Sequence, residues 1–95
     1  LGESLENAPD NTDALINLAI ARLQQGRLDD AERLLRRAID LDATSPATFN
    51  NIGIILARRG ALAAAIEAFE QALELDPTFA DARSNLEAVR RSWGE

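Results

Sequence analysis

The chain of 95 residues contains no cysteine and no histidine. The lack of cysteine excludes disulfides and thiol chemistry, and the lack of both residues excludes the usual transition-metal sites. The missing histidine also removes the commonest general base. Lysine is absent too, so the ten cations are all arginines, and sixteen acidic residues give a net charge of −6. Because an acidic chain repels phosphate backbones, we expect no nucleic-acid partner.

Aromatic residues and long apolar runs are also scarce. No apolar stretch approaches the length of a membrane span, so we expect no membrane partner. Aromatic residues make up 4% of the chain, and alanine and leucine dominate the apolar residues, which favours helices over strands. The serines have no histidine to activate them, the carboxylates are scattered beside arginines, and single turn glycines do not make a phosphate-binding loop. We therefore expect no catalytic activity and no cofactor.

The sequence repeats itself with a period of 34 residues. A fixed period of this length is typical of helical solenoids, in which each repeat buries its apolar face against the next. Nine aligned positions of residues 12–45 and 46–79 are identical: Asn17/Asn51, Ile20/Ile54, Gly26/Gly60, Leu28/Leu62, Ala31/Ala65, Ala38/Ala72, Leu41/Leu75, Asp42/Asp76 and Thr44/Thr78.

Each repeat has the pattern of two helices joined by a glycine turn. In the second repeat, Phe49, Ile52 and Leu56 follow the spacing of one helical face. Gly60 suits the left-handed conformation that ends many helices. A second helix is predicted over about residues 62–75, because the Asp-Pro that follows disfavours further helix.

The same register extends to both ends of the chain. We predict that residues 1–11 end the second helix of a preceding repeat and that residues 80–95 form a closing helix. Between them lie one repeat at 12–45 and another at 46–79, so we expect the chain to be a piece of a longer array. The closing helix is predicted to turn three apolar residues inward: Ala82, Leu86 and Val89.

A period of 34 with two helices per repeat resembles the tetratricopeptide repeat. Positions in each repeat are counted from Thr12 or Pro46. The family favours large residues at positions 4 and 11, Leu-Gly at 7 and 8, alanine at 20 and 27, an aromatic residue at 24 and proline at 32. The resemblance implies an all-α fold, a right-handed superhelical α-solenoid of antiparallel helix pairs. The second repeat carries the pattern in Phe49, Ile52, Gly53, Leu56, Ala65, Phe69, Ala72 and Pro77.

The first repeat matches the family less closely. Arg22 stands at position 11 and Ala43 at position 32, where the family prefers a large residue and proline. We expect these departures to leave the fold intact. The matching residues of this repeat are Leu15, Leu18, Ala19, Ala31, Leu35 and Ala38.

The resemblance also implies a binding surface for an extended peptide or partner segment. In this family the first helix of each repeat lines a concave groove. The resemblance assigns this surface to Asn17, Ile20, Gln24, Asn50, Asn51, Ile54, Arg58, Asp81 and Asn85.

Asparagine occupies the same position in all three first helices, at Asn17, Asn51 and Asn85. Asparagine is a mediocre helix former, so helix propensity does not explain the repetition. Its amide both donates and accepts hydrogen bonds, which suits recognition of a peptide backbone. The row is similar to the asparagines that line the repeat arm of O-linked N-acetylglucosamine transferases. The alternative is a family packing habit, with each asparagine lying against the neighbouring repeat.

Other members of the family bind chaperones through a cationic clamp, and that resemblance fails here. The clamp requires lysine where this chain has Ile16, asparagine where it has Ile20, and cations where it has Asp81 and Asn85. Only Asn51 agrees. We therefore do not expect a chaperone partner.

Two alternatives to groove binding remain open. The first is self-association through terminal faces, because Leu1 and Leu5 lack a partner helix. Trp93 either covers the preceding helix or anchors a partner. The second alternative is a substrate-recruiting arm of a larger enzyme.

Overall fold

The computed structural model describes residues 11–94, and for Trp93 and Gly94 it describes the helical backbone alone. Within this part of the chain there are five α-helices and no strand, which confirms the all-α prediction. The predicted tail at the N-terminus lies almost entirely outside the described residues. The helices are α1 (Thr12–Gln24), α2 (Leu28–Leu41), α3 (Pro46–Arg58), α4 (Leu62–Leu75) and α5 (Ala80–Gly94).

The helices belong to two compact units. The N-terminal unit ends at Ala43 and contains α1 and α2, which pack against each other. The C-terminal unit begins at Thr44 and contains α3, α4 and α5. In that unit α4 contacts both of its neighbours, and α3 also contacts α5.

Glycine turns end the first helix of each unit. Gly26 and Gly60 have φ angles of 79° and 83°, the left-handed conformation that glycine adopts without strain. After α1, the Arg27 amide donates to the Arg22 carbonyl at 2.9 Å, and the Gly26 amide donates to the Leu23 carbonyl at 3.0 Å. The same pair of bonds follows α3. These bonds satisfy carbonyls that the helix end would leave unpaired, as the sequence pattern predicts.

Side-chain hydrogen bonds occur at two other places, the start of α1 and the connection after α4. The Asn11 side-chain carbonyl accepts a hydrogen bond from the Ala14 amide at 3.1 Å and so caps α1. Beyond α4, the Asp76 carboxylate accepts bonds from the Thr78 amide at 3.0 Å and from its hydroxyl at 2.7 Å. This local turn holds the short connection to α5.

Both helices of the N-terminal unit contribute buried apolar residues. The buried side chains recur at the three- and four-residue spacing of one helical face, which leaves the opposite face for charged residues. On that outer face, Arg36 Nη2 lies 2.7 Å from Glu32 Oε2, four positions earlier. Such exposed pairs add at most about 1 kcal/mol to stability. The buried residues are Leu15, Ile16, Ala19, Leu23, Ala31, Leu35 and Ala38.

The core of the C-terminal unit is centred on Phe69, which is 1% exposed. Leu86 and Val89 of α5 join it, as does Ala65, one turn before it on α4. All three residues predicted to face inward on α5 are buried, Ala82 included. The partly buried residues packed around this core are Ile54, Leu56, Ala57, Leu62, Ile66 and Leu73.

Gly53 allows α3 and α4 to approach closely. A Cβ atom at Gly53 would lie 2.5, 2.7 and 2.8 Å from three ring carbons of Phe69. These separations are far shorter than van der Waals contact, so the ring occupies the space of a side chain. The equivalent residues of the N-terminal unit are Ala19 and Leu35, both fully buried. One unit thus combines glycine with phenylalanine, and the other combines alanine with leucine.

Replacing Gly53 with alanine is therefore expected to destabilise the chain. Alanine gains about 1 kcal/mol in helix propensity, but crowding in a packed core costs roughly 1–3 kcal/mol. We expect a net loss of about 1 kcal/mol, measured by urea unfolding. Adding Phe69→Leu should recover part of this loss, because the double variant recreates the pair found at Ala19 and Leu35. Additive losses in the two substitutions would contradict the close-approach explanation.

Candidate binding face

The predicted binding residues of the C-terminal unit lie on α3 and α5. Short connections join α3 to α4 and α4 to α5, so α3 and α5 run in the same direction. The Asn85 side-chain amide donates to the Asn50 side-chain carbonyl at 2.9 Å. This bond links the two helices across 35 positions of sequence.

An open cavity of about 260 Å³ adjoins this hydrogen bond, and Asn85 belongs to its lining. Five of its seven lining residues are apolar, and Arg58 and Asn85 are polar. Ile54, Arg58 and Asn85, three of the predicted binding residues, therefore converge on one surface. We call the surface formed by these three residues with Asn50, Ala57 and Ala88 the α3–α5 face. The residues lining the cavity are Ile54, Ala57, Arg58, Phe69, Asn85, Ala88 and Val89.

The two ends of the α3–α5 face carry opposite charges. Asp81 is exposed in the first turn of α5. At the other end, Arg58 is the last residue of α3, and Arg91 follows Ala88 by three positions on the same side of α5. Because the helices are parallel, Arg58 and Arg91 lie towards the same end. A bound segment with charged side chains would thus have a preferred direction.

Asn50 and Asn51 are both buried, with 6% and 7% exposure, but they have different hydrogen-bond partners. The Asn51 side-chain amide donates to the carbonyl of Ala47 in the preceding turn of α3 at 3.0 Å. The bond occupies one of the two amide N–H groups. Asn51 therefore supports its own helix.

The N-terminal unit holds the remaining predicted residues on α1. Asn17 and Gln24 are exposed, and Ile20 is half-buried. The three asparagines at one repeat position therefore have three environments: exposed at Asn17, buried at Asn51 and half-buried at Asn85. Repetition in the sequence does not make their side chains equivalent.

The helical spacing of apolar residues does not predict that two core residues, Phe69 and Val89, also line the cavity. Helical spacing assigns Phe69 and Val89 to the core, and both are buried. They also form part of the cavity wall. The signal available in sequence is Ala88 beside Val89, because a small residue next to a core position leaves space for a cavity.

The described residues carry no sign of a metal site or a membrane span. Among them, no three acidic side chains come together in a way that would hold a metal ion. Of helices α1 to α5, none has the length and apolar character needed to cross a membrane. The side chains of Leu1, Leu5 and Trp93, on which the self-association alternative depends, lie outside the described residues.

Comparison with known proteins gives consistent results. The sequence profile of the tetratricopeptide repeat matches residues 13–78. Tetratricopeptide repeat protein 7B of Mus musculus is 36% identical over 74 residues, which are 78% of this chain and 9% of that protein. Protein FlbA of Caulobacter vibrioides is 30% identical over 87 residues, which are 92% of this chain and 15% of that protein. The chain thus spans a small part of these relatives.

A solved structure is similar over almost the whole chain. The crystal structure of MamA superposes with a TM-score of 0.83 at 30% sequence identity. The match covers 98% of this chain and 54% of the MamA chain. The structural similarity and the sequence profile therefore point to one family.

Proposed function

This chain belongs to the tetratricopeptide repeat family, whose members serve generally as protein-interaction modules, and we propose that it binds an extended partner segment across the α3–α5 face. The observation that carries the proposal is the convergence of Ile54, Arg58 and Asn85 on one open cavity. Apolar surface with a few convergent polar groups is the usual composition of a binding site.

The polar groups of the face suit a peptide backbone. The Asn85 amide uses one N–H group in its bond to Asn50, and its carbonyl oxygen and second N–H group can bond to a passing peptide unit. The bond to Asn50 also restrains both side chains, so less conformational entropy is lost when a partner binds. In this proposal the half-buried Asn85 recognises backbone, the buried Asn50 holds it in place, and Ile54 contacts an apolar side chain.

The other predicted residues have more distant parts in the proposal. Asn51 supports α3 through its bond to Ala47 in the first turn of that helix. On α1, within the N-terminal unit, Asn17 and Gln24 are exposed and Ile20 is half-buried, so these residues form a separate candidate contact surface. Asp81 favours a cation at the start of α5.

A substitution at Ala88 tests the proposal. Ala88 is exposed and lines the cavity, and glutamate is a good helix former, so Ala88→Glu should preserve the fold. Peptides selected from a random phage-displayed library on the 95-residue chain serve as probes. We expect Ala88→Glu to weaken their binding at least about tenfold, because a charge would occupy the apolar cavity. Fluorescence anisotropy with synthetic copies of the peptides gives the affinities.

The matched control is Ala63→Glu, an identical change at an exposed alanine of α4 outside the cavity lining. Its binding should equal that of the unsubstituted chain. If peptides bind the Ala88→Glu chain with full affinity, the α3–α5 face is not the binding surface and the proposal is wrong.

A further inference from the structure

We infer that the partner segment carries an aliphatic side chain and a carboxylate two positions apart. The aliphatic side chain occupies the cavity of the α3–α5 face, and the carboxylate pairs with Arg58. This inference rests on the proposed function, and it specifies the chemistry of the partner that the face recognises.

The size and lining of the cavity indicate an aliphatic side chain. Its volume of about 260 Å³ lies below the range of roughly 300–1,000 Å³ typical of small-molecule pockets. Ala57 and Ala88 project one methyl group each, and this leaves space above Phe69 and Val89. A leucine-sized side chain would fill this space against Ile54 and the two alanine methyl groups, and water would be released.

The positive charge in the cavity lining indicates that the partner segment carries a carboxylate. Of the seven described residues that line it, Arg58 alone is charged. Arg59 follows at the end of α3, and Arg91 lies towards the same end of α5. The whole chain, in contrast, has a net charge of −6 and repels anions at long range. An acidic segment is therefore favoured at this end of the face over the end that carries Asp81.

The spacing of the two side chains follows from extended backbone geometry. In an extended segment, successive side chains point to opposite sides, and those two positions apart point to the same side. The aliphatic and acidic groups must both face the cavity and Arg58, which lie on one surface. A separation of two positions places the groups about 6.6–6.8 Å apart along the segment.

Charge reversal provides the test. The probes are short synthetic peptides in a glycine-serine background that contain Leu-Ser-Asp or Asp-Ser-Leu, with matched versions in which lysine replaces aspartate or serine replaces leucine. We expect the peptides with both aspartate and leucine to bind the 95-residue chain. One of the two orders, Leu-Ser-Asp or Asp-Ser-Leu, should bind more tightly than the other. Loss of leucine should weaken binding about tenfold. Higher salt should weaken it as well, because the ion pair is exposed.

Arg58→Glu should lower the affinity for the aspartate peptide and raise the affinity for the lysine peptide, each several-fold. Arg37→Glu, an equal charge change at an exposed position of α2, should alter neither affinity. If selected library peptides lose affinity with Ala88→Glu but lack this pattern and ignore Arg58→Glu, the inference is wrong while the proposed function stands. If they bind the Ala88→Glu chain unchanged, both are wrong.

Discussion

Replacing Phe69 with alanine is expected to lower the free energy of unfolding by about 3–5 kcal/mol. Phe69 is 1% exposed and contacts the buried residues of both α4 and α5. Removing the ring leaves a cavity that these helices fill incompletely, because Gly53 opposite offers no side chain to move into it. A chain of 95 residues has a total stability of roughly 5–14 kcal/mol, so the variant is expected to unfold readily.

The measurement is urea unfolding followed by far-ultraviolet circular dichroism. Phe79→Ala provides the matched control, because Phe79 is half-buried in the connection before α5 and should lose clearly less stability. Equal losses at Phe79 and Phe69 would contradict the claim that the C-terminal unit is centred on Phe69.

The second large effect is expected within α2, where two leucines differ in burial. Leu35 is 0% exposed, and Leu41 at the end of the same helix is 48% exposed. Leu35→Ala should cost about 2–5 kcal/mol, since it removes methyl groups from a closed core. Leu41→Ala should change stability by less than about 0.5 kcal/mol, since alanine is also a good helix former.

The comparison tests the orientation of α2, because the substitution, the helix and the unit are the same in both variants. Thermal unfolding of both proteins at one concentration is sufficient. A larger loss at Leu41 than at Leu35 would mean that the predicted apolar face of α2 is rotated away from the core.

Most of the fold could be predicted from the sequence because its determinants are local. Gly26 and Gly60 end helices through backbone freedom at a single residue, and both have the expected positive φ. The predicted limits of 62–75 for one helix coincide with α4, since Asp-Pro blocks its continuation. The burial of Leu86 and Val89 follows from helical spacing alone.

The binding face could be predicted only in part, because it depends on which side chains meet between helices. Asn50 and Asn85 are both predicted as binding residues, but no pattern in the sequence predicts that their side chains bond to each other. The repeated asparagines suggest one shared environment, but Asn51 is buried against its own helix. The surroundings of Thr48 could not be predicted from the sequence either. Its hydroxyl is fully buried, with no hydrogen-bond partner among the described residues.

Nuclear magnetic resonance titration tests the central claim most directly. Uniformly ¹⁵N-labelled chain would be titrated with a peptide selected from the random library, and amide shifts would be followed residue by residue. Binding across the α3–α5 face predicts the largest shifts within residues 47–58 and 81–92, with small shifts on the outer side of α4. Shifts concentrated in α4 or α2 would contradict the claim and would place the interaction surface on the opposite helices.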